Sequence, residues 1–495
     1  MFWRLWRKTC RPRISPLWKG SISILSIVIL GGPGAAIPFE QKGKWMQLYD
    51  VTAFGAVSDG KTICTQAIQR AVDTAAQNGG GQVILPAGVY LSGSVFLKSH
   101  VTFQIDSGAC LRGIAEEGAY PEFYNRVAGV EMTWPGALLN VCGEQDVHIT
   151  GGGELDGQGA YWWNKYWGDD RHGGMRRQYE QKGLRWVVDY DCKRPRNLLL
   201  YDSRDVTVEN LTLRRSPFWN LHVCYCEHVR IDGIKVRDCG GPSTDGVDID
   251  SSRDVEVARC DIDCNDDNIC LKAGRDADGL RVNRPCENIR IHDCITRAGG
   301  GITLGSETSG GIRNVDISNI RMERTAHGIH LKSAATRGGC LEDIRYRHIH
   351  MIGVAHIFSF QLNWNPSYSY CRLPDGWQGD VPERWRRLAQ PVHPASRGIP
   401  EVRRLEITDV TADCMTETAA GQSVIFDVEA FPEKPIRQVQ FRNIRAEADQ
   451  AGLISSAADW KMRNTRFVTR QGAPVQLDNS PSLSPAAFQT VRREE

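Results

Sequence analysis

From residue 198 onward the same short alternation of apolar and polar positions returns: VTVENLTL, VRIDGIKV, VEVARCDI, IRIHDCIT, VDISNIRM, IRYRHIHM, LEITDVTA and VQFRNIRA. A period of two puts one face of each segment inward, which is the signature of a strand. Most copies recur about 23 to 34 residues apart with Asn, Asp or Gly at the turn, a spacing that marks one coil of a solenoid. No helical pattern lies between them, and the period is too loose for leucine-rich repeats. One coil cannot bury its own apolar face and must stack on the next, so the pattern predicts an all-β fold, a single-stranded parallel β-helix.

The ends and interruptions of the repeat are also legible. Residues 62–76 place Ala67, Ile68, Ala71, Val72 and Ala75 at helical spacing and predict an N-terminal capping helix over the first coil, whose strand edges would otherwise be bare. The β-helix is expected over residues 45–470, and the polar stretch 471–495 is expected to be a poorly ordered tail. Insertions near 118–196 and 357–400 break the repeat and are rich in aromatics, among them Trp134, Trp162, Trp163, Trp167, Trp186, Trp364, Tyr368, Tyr370, Trp377 and Trp385. Most of these are expected to pack the loops onto the solenoid, leaving one or two to stack on sugar faces.

Composition narrows the partners. A net charge of +1 with 24% charged residues gives no reason to expect nucleic acid, so attraction for an acidic ligand must be local. At the N-terminus Arg4, Arg7, Lys8, Arg11, Arg13 and Lys19 precede an apolar run over residues 21–30, then GGPGAA, with no acidic residue before Glu40. An apolar run of about ten residues is short of the roughly 20 that span a bilayer, so residues 1–36 are read as a signal peptide with small residues at Gly34 and Ala36. The mature protein is then exported, periplasmic or extracellular, a monomer with no stable membrane insertion. Of the 16 cysteines, loss of Cys10 with the signal leaves an odd number, and several fall at inward strand positions as core packing. Cys260, Cys264 and Cys270 lack the paired spacing of a zinc site, so no metal is expected.

Three charged clusters end successive repeats: STDGVDID (243–250), CNDDNICLKAG (264–274) and GIHLKS (328–333). Stacking gathers Asp245, Asp266 and Asp267 into one carboxylate group, with His330 and Lys332 a coil or two away. Adjacent Asp266 and Asp267 reach one site only at a bulge or corner, since neighbours on a regular strand face opposite ways. Carboxylates held close repel, so one keeps its proton as an acid while another stays ionised as a base. His330 and Lys332 alternate with Leu331 and share a face, Lys332 being suited to a substrate carboxylate. At least two of Asp248, Asp250, Asp261 and Asp263 are read as solvated strand or turn residues.

GGGELDGQG (151–159), STDGVDIDSS, NDDNICLKAG, GGGITLGSE and GIHLKS, in this order, resemble the motif series of the polygalacturonase-type glycoside hydrolases of family 28, over residues 49–449. The resemblance implies a right-handed parallel β-helix that hydrolyses galacturonosyl linkages of pectin with inversion, without metal or organic cofactor. It implies Asp266 as general acid, Asp245 and Asp267 holding and activating water, and Lys332 binding the sugar carboxylate. The family's Asn-Thr-Asp is Ser243-Thr244-Asp245 here. Its Gly-His-Gly is replaced by glycines, so Gly299 or Gly300 stands where a substrate-contacting histidine is expected, and the Arg of Arg-Ile-Lys has become His330. A pectic substrate other than plain polygalacturonan is therefore expected, with an affinity that titrates near pH ~6.5 through His330. The long insertions are expected to wall off one end of the cleft and make the action exo. The alternatives are a carbohydrate-binding β-helix with decayed chemistry and a Ca²⁺-dependent pectate-lyase-like lyase.

Overall fold

A computed structural model describes residues 37–41, 44–415 and 421–493, so the expected signal segment lies outside the described residues. The chain winds into a right-handed parallel β-helix of two long sheets, one of 24 strands and one of 12. The reason is visible in one column. Val147, Val206, Val229, Val255, Ile289, Val315, Ile344, Leu405 and Val439 stand in register on successive coils, all buried. Truncating one such Leu or Ile to Ala costs about 2–5 kcal/mol. The residue just before each of these nine turns the chain in the left-handed region, with φ from 52° to 59°, and four of the nine are Asp and two Asn. Asp and Asn tolerate that conformation because their side chains bond locally.

The cap and the end differ in how well they match expectation. Thr65–Gln77 is an α-helix that buries Ala67, Ile68, Ala71, Val72 and Ala75 on the first coils. Residues 471–493 correct the expected tail: Gln476–Asp478 and Thr490–Arg492 add strands paired in parallel with the coil before them. Val475, Leu483 and Phe488 are buried and hold this last turn, three apolar residues too sparse to stand out in a polar stretch.

The insertions meet each other over the 12-stranded sheet. The expected insertion at 118–196 is corrected to two, because a solenoid coil (Leu139–Cys142, Gln145–Thr150, Glu154–Asp156) lies within it. The part before that coil carries an antiparallel hairpin, Glu122–Val127 with Val130–Pro135, and the part after it the helices Ala160–Trp167, Gly174–Gln181 and Val188–Asp191. The insertion near 357–400 carries Pro366–Ser369 and Glu383–Leu388. Trp385 packs edge-on to Trp186 at 6.1 Å, and its Nε1 donates to Asp191 at 2.9 Å. Arg275, fully buried, donates to Tyr190 Oη at 2.8 Å and to the Tyr368 carbonyl at 2.7 Å, tying the last two insertions to the solenoid. Trp134, Trp162, Trp186 and Trp385 are buried packing residues, as expected of most loop aromatics. All cysteines among the described residues are free thiols, most of them buried. No described helix is long and apolar enough to cross a membrane.

Candidate active site

The site lies on the outward face of the 12-stranded sheet. Inward positions of successive strands are Val247 and Ile249, Ile269 and Leu271, Ile302 and Leu304, Ile329 and Leu331, paired in register. Alternation then sends the residues between them outward: Asp248, Cys270, Thr303, His330 and Ser359 form one row. Lys272 and Lys332 point the same way from strand ends. These polar residues are nevertheless buried, Asp248 beside Lys272, Thr303 against Asp267 and His330 under His327.

Asp245 and Asp267 precede two neighbouring strands and stack, with Gly246 N bonding Asp267 O at 2.9 Å. Asp266 and Asp267 sit on a tight corner that lets adjacent side chains serve one site. Asn268 locks it from within, donating to Ile262 O and Ala298 O and accepting from Gly301 N at 2.8 Å. The structure thus brings Asp245, Asp266 and Asp267 together, with carboxylate oxygens within 4.8 Å of one another. Lys332 Nζ donates to Asp267 Oδ2 at 2.7 Å and lies 4.5 Å from the Trp364 ring, while Thr303 Oγ1 donates to Asp267 Oδ1 at 2.7 Å.

This arrangement separates the protonation states. Burial alone would raise the Asp267 carboxyl, yet Lys332, Lys272 and the two donors bring it below the ordinary range. Burial and the neighbouring Asp267 charge raise Asp266, and burial with Asp248 and Asp266 raises Asp245 well above it. The cluster therefore sets its carboxyls apart: Asp267 favours the ionised form, while Asp266 and Asp245 hold a proton more tightly than a free carboxyl does. Three such groups could chelate a divalent ion, but two lysines already supply positive charge at this spot.

The expectation for His330 changes. His330 is 1% exposed, its ring stacked under His327 at 3.9 Å and its Nδ1 3.2 Å from Ser359 O, so it offers no surface to a substrate. Burial together with His327 and Lys332 keeps it neutral far below pH ~6.5, which removes the expected titration. Of the four aspartates of which at least two are expected to be solvated, Asp261 and Asp263 are partly exposed, whereas Asp248 and Asp250 are buried, Asp250 against Arg126 and Asp248 beside Lys272 at 3.5 Å. Lys332 lines the pocket and holds Asp267 with one of its three N–H donors. Gly300 lies directly against Asp267: a Cβ there would come 2.5 Å from Asp267 Oδ1.

Lys272, Glu307, Asp248 and Trp219 belong to the site and escaped sequence reasoning. Lys272 Nζ reaches Glu307 at 3.3 Å, Asp248 at 3.5 Å and Asp245 at 4.0 Å, over the Trp219 ring at 5.0 Å. Burial pushes Asp248 up to about 8, whereas Glu307, despite burial, is pulled down to about 2 by Lys272 and Arg337. The signal for Lys272 was present, because it alternates with Cys270 as Lys332 does with His330. Arg185 and Asp189 from one insertion and Trp364 and Tyr368 from another close the pocket around these groups.

A β-helix with a paired acid and base on its sheet face, set in a walled pocket with cations at hand, is of the glycoside hydrolase class. The chain belongs to the family described as Glycosyl hydrolases family 28, whose sequence model matches residues 81–369, more than half its length. A Vitis vinifera protein named "Probable polygalacturonase" is 33% identical over 306 residues, 59% of this chain and 58% of that one. An exo-poly-alpha-D-galacturonosidase of Dickeya chrysanthemi is 26% identical over 340 residues, 62% of this chain and 56% of that one. The chain thus spans less than two thirds of the length of these relatives. A solved exopolygalacturonase of Thermotoga maritima superposes with a TM-score of 0.67 at 24% identity, over 87% of this chain and 91% of that one, and shares its fold.

Proposed function

We propose that the protein hydrolyses galacturonosyl or related uronosyl linkages of pectic saccharides, acting from a chain end and inverting the anomeric carbon. The observation that carries this is the carboxylate cluster itself: Asp245, Asp266 and Asp267 converge within 4.8 Å, and of the three Lys332 holds only Asp267, at 2.7 Å. That contact favours the ionised form of Asp267, while burial and the Asp267 charge favour a proton on Asp266. Asp266 gives its proton to the glycosidic oxygen as the C1–O bond breaks. Water, held between Asp245 and Asp267, attacks C1 and loses its proton to Asp267. Family membership and the relatives' names support the uronosyl substrate. Exo action is supported by the wall that Arg185, Asp189, Trp364 and Tyr368 build at one end of the pocket. Inversion rests on kinship and not on carboxylate spacing, which at under 4.8 Å lies outside the usual inverting range of about 6.5–9.5 Å.

The decisive experiment is a product profile on pectic oligosaccharides with anomer-resolved NMR, alongside Asp266→Asn. That variant should retain fold and binding and lose about 10²- to 10⁴-fold in kcat. Products with ultraviolet absorbance would establish a lyase instead, and binding without turnover in the parent would establish a decayed enzyme. Near-parental activity of Asp266→Asn would remove its assignment as the acid.

A further inference from the structure

The row that holds the carboxylates continues beyond them. Strand register brings Asp245, Asp267, Gly300 and His327 into line, and His327 pairs directly with His356 on the next strand. Gly300 leaves a gap in this row that no side chain could occupy without displacing Asp267. Past the gap, His327 and His330 stack with an interplanar angle of 6°, and His356 lies 5.2 Å from His327. Neither His327 Nδ1 nor His356 Nδ1 has a hydrogen-bond partner of good geometry, although the latter is 2.9 Å from Asp427 Oδ2. A cavity of about 520 Å³ follows on the same face, lined by Gln422, Gln450 and Gln476 with His356 and Asp427.

The chemistry of this face is one-sided. Imidazole and amide groups both donate and accept, which suits sugar hydroxyls. The cations beside it are already committed, Lys332 to Asp267 and Arg470 to Asp449. Burial and the neighbouring His356 and Lys332 lower the His327 pKa to about 4, so it stays uncharged near neutrality. A uronate placed here would lose water against Asp427 with no free counter-charge, which is strongly unfavourable. The row leads away from the carboxylates along the sheet face, from Gly300 through His327 and His356 to Gln450.

We propose that the face from Gly300 past His327 and His356 to Gln450 is the subsite for the departing part of the substrate, and that it takes an uncharged glycosyl residue. The scissile bond then joins a uronosyl residue to a neutral sugar. This rests on the hydrolase reading above. The test compares kcat/KM of the full chain on two matched oligosaccharides, a terminal galacturonosyl residue linked to a neutral hexose or deoxyhexose and the same residue linked to galacturonate. A preference of about tenfold or more for the neutral acceptor is expected. His327→Lys should shrink that preference by raising activity on the charged substrate, and His356→Gln should raise KM for the neutral one with little change in kcat. Equal or better turnover of the all-uronate substrate by the parent overturns the inference and leaves the hydrolase reading standing. Failure on both substrates removes the hydrolase reading, and the inference falls with it.

Discussion

Lys332 shows how one contact sets the chemistry of a residue. Its ammonium, 2.7 Å from Asp267, offsets the burial that would otherwise keep that carboxyl protonated. In Lys332→Met the Asp267 pKa must rise. The proposed mechanism needs Asp267 ionised, so the acidic limb of kcat/KM should move to higher pH by about 1 to 3 units, read from full pH profiles of both proteins. Asp248 gives the opposite sign in stability. Its pKa is raised to about 8, chiefly by burial, so the folded state binds the proton more tightly than the unfolded chain. Its favourable contribution is complete below the unfolded value near ~3.9 and is lost as pH rises toward 8. Asp248→Asn removes that loss, and the difference in Tm between pH 5 and pH 8 should narrow; an unchanged difference would show that Asp248 does not titrate as described. His330→Arg should lower Tm by burying a guanidinium, leaving the parental KM without a titration near pH ~6.5. Asp245, Asp266 and Asp267 were legible because adjacent and repeated acids stand out in a string. The fates of His330 and Asp248 were not, because an outward position on a strand does not say which neighbouring coil will cover it: His327 and Ser359 enclose His330, and Lys272 lies beside Asp248.

At the scale of elements, the strands were readable and the insertions were not. Alternation in VEVARCDI or IRIHDCIT states a strand and its inward face outright. Nothing local in residues 118–196 says that Trp186 meets Trp385 at 6.1 Å, since that contact is fixed by two loops closing on a common scaffold. The last turn was missed for a related reason, its three buried apolar residues being spread through a polar segment. The Trp186–Trp385 contact and the Trp385–Asp191 hydrogen bond hold the pocket wall shut. Trp385→Ala should therefore loosen the wall while sparing the solenoid: KM should rise, and the products should shift from the terminal residue alone toward a mixture of lengths, seen by ion-exchange chromatography. An unchanged product distribution would mean that exo action does not depend on this wall.

For the whole molecule, the solenoid divides labour along its axis. Coils touch only their neighbours, so stability accumulates coil by coil and the scaffold can grow as the chain emerges. The pocket does not share that order. Its carboxylates come from residues 245–267, but its wall is shared between Arg185 and Asp189 on one side and Trp364 and Tyr368 on the other. Arg275, lodged between them, finds Tyr190 early and the Tyr368 carbonyl only much later. A nascent chain that has stacked every catalytic acid still possesses an open shelf with no enclosure, and the enclosure arrives when the last insertion is synthesised. Competence to capture a saccharide is in this sense timed by the ribosome.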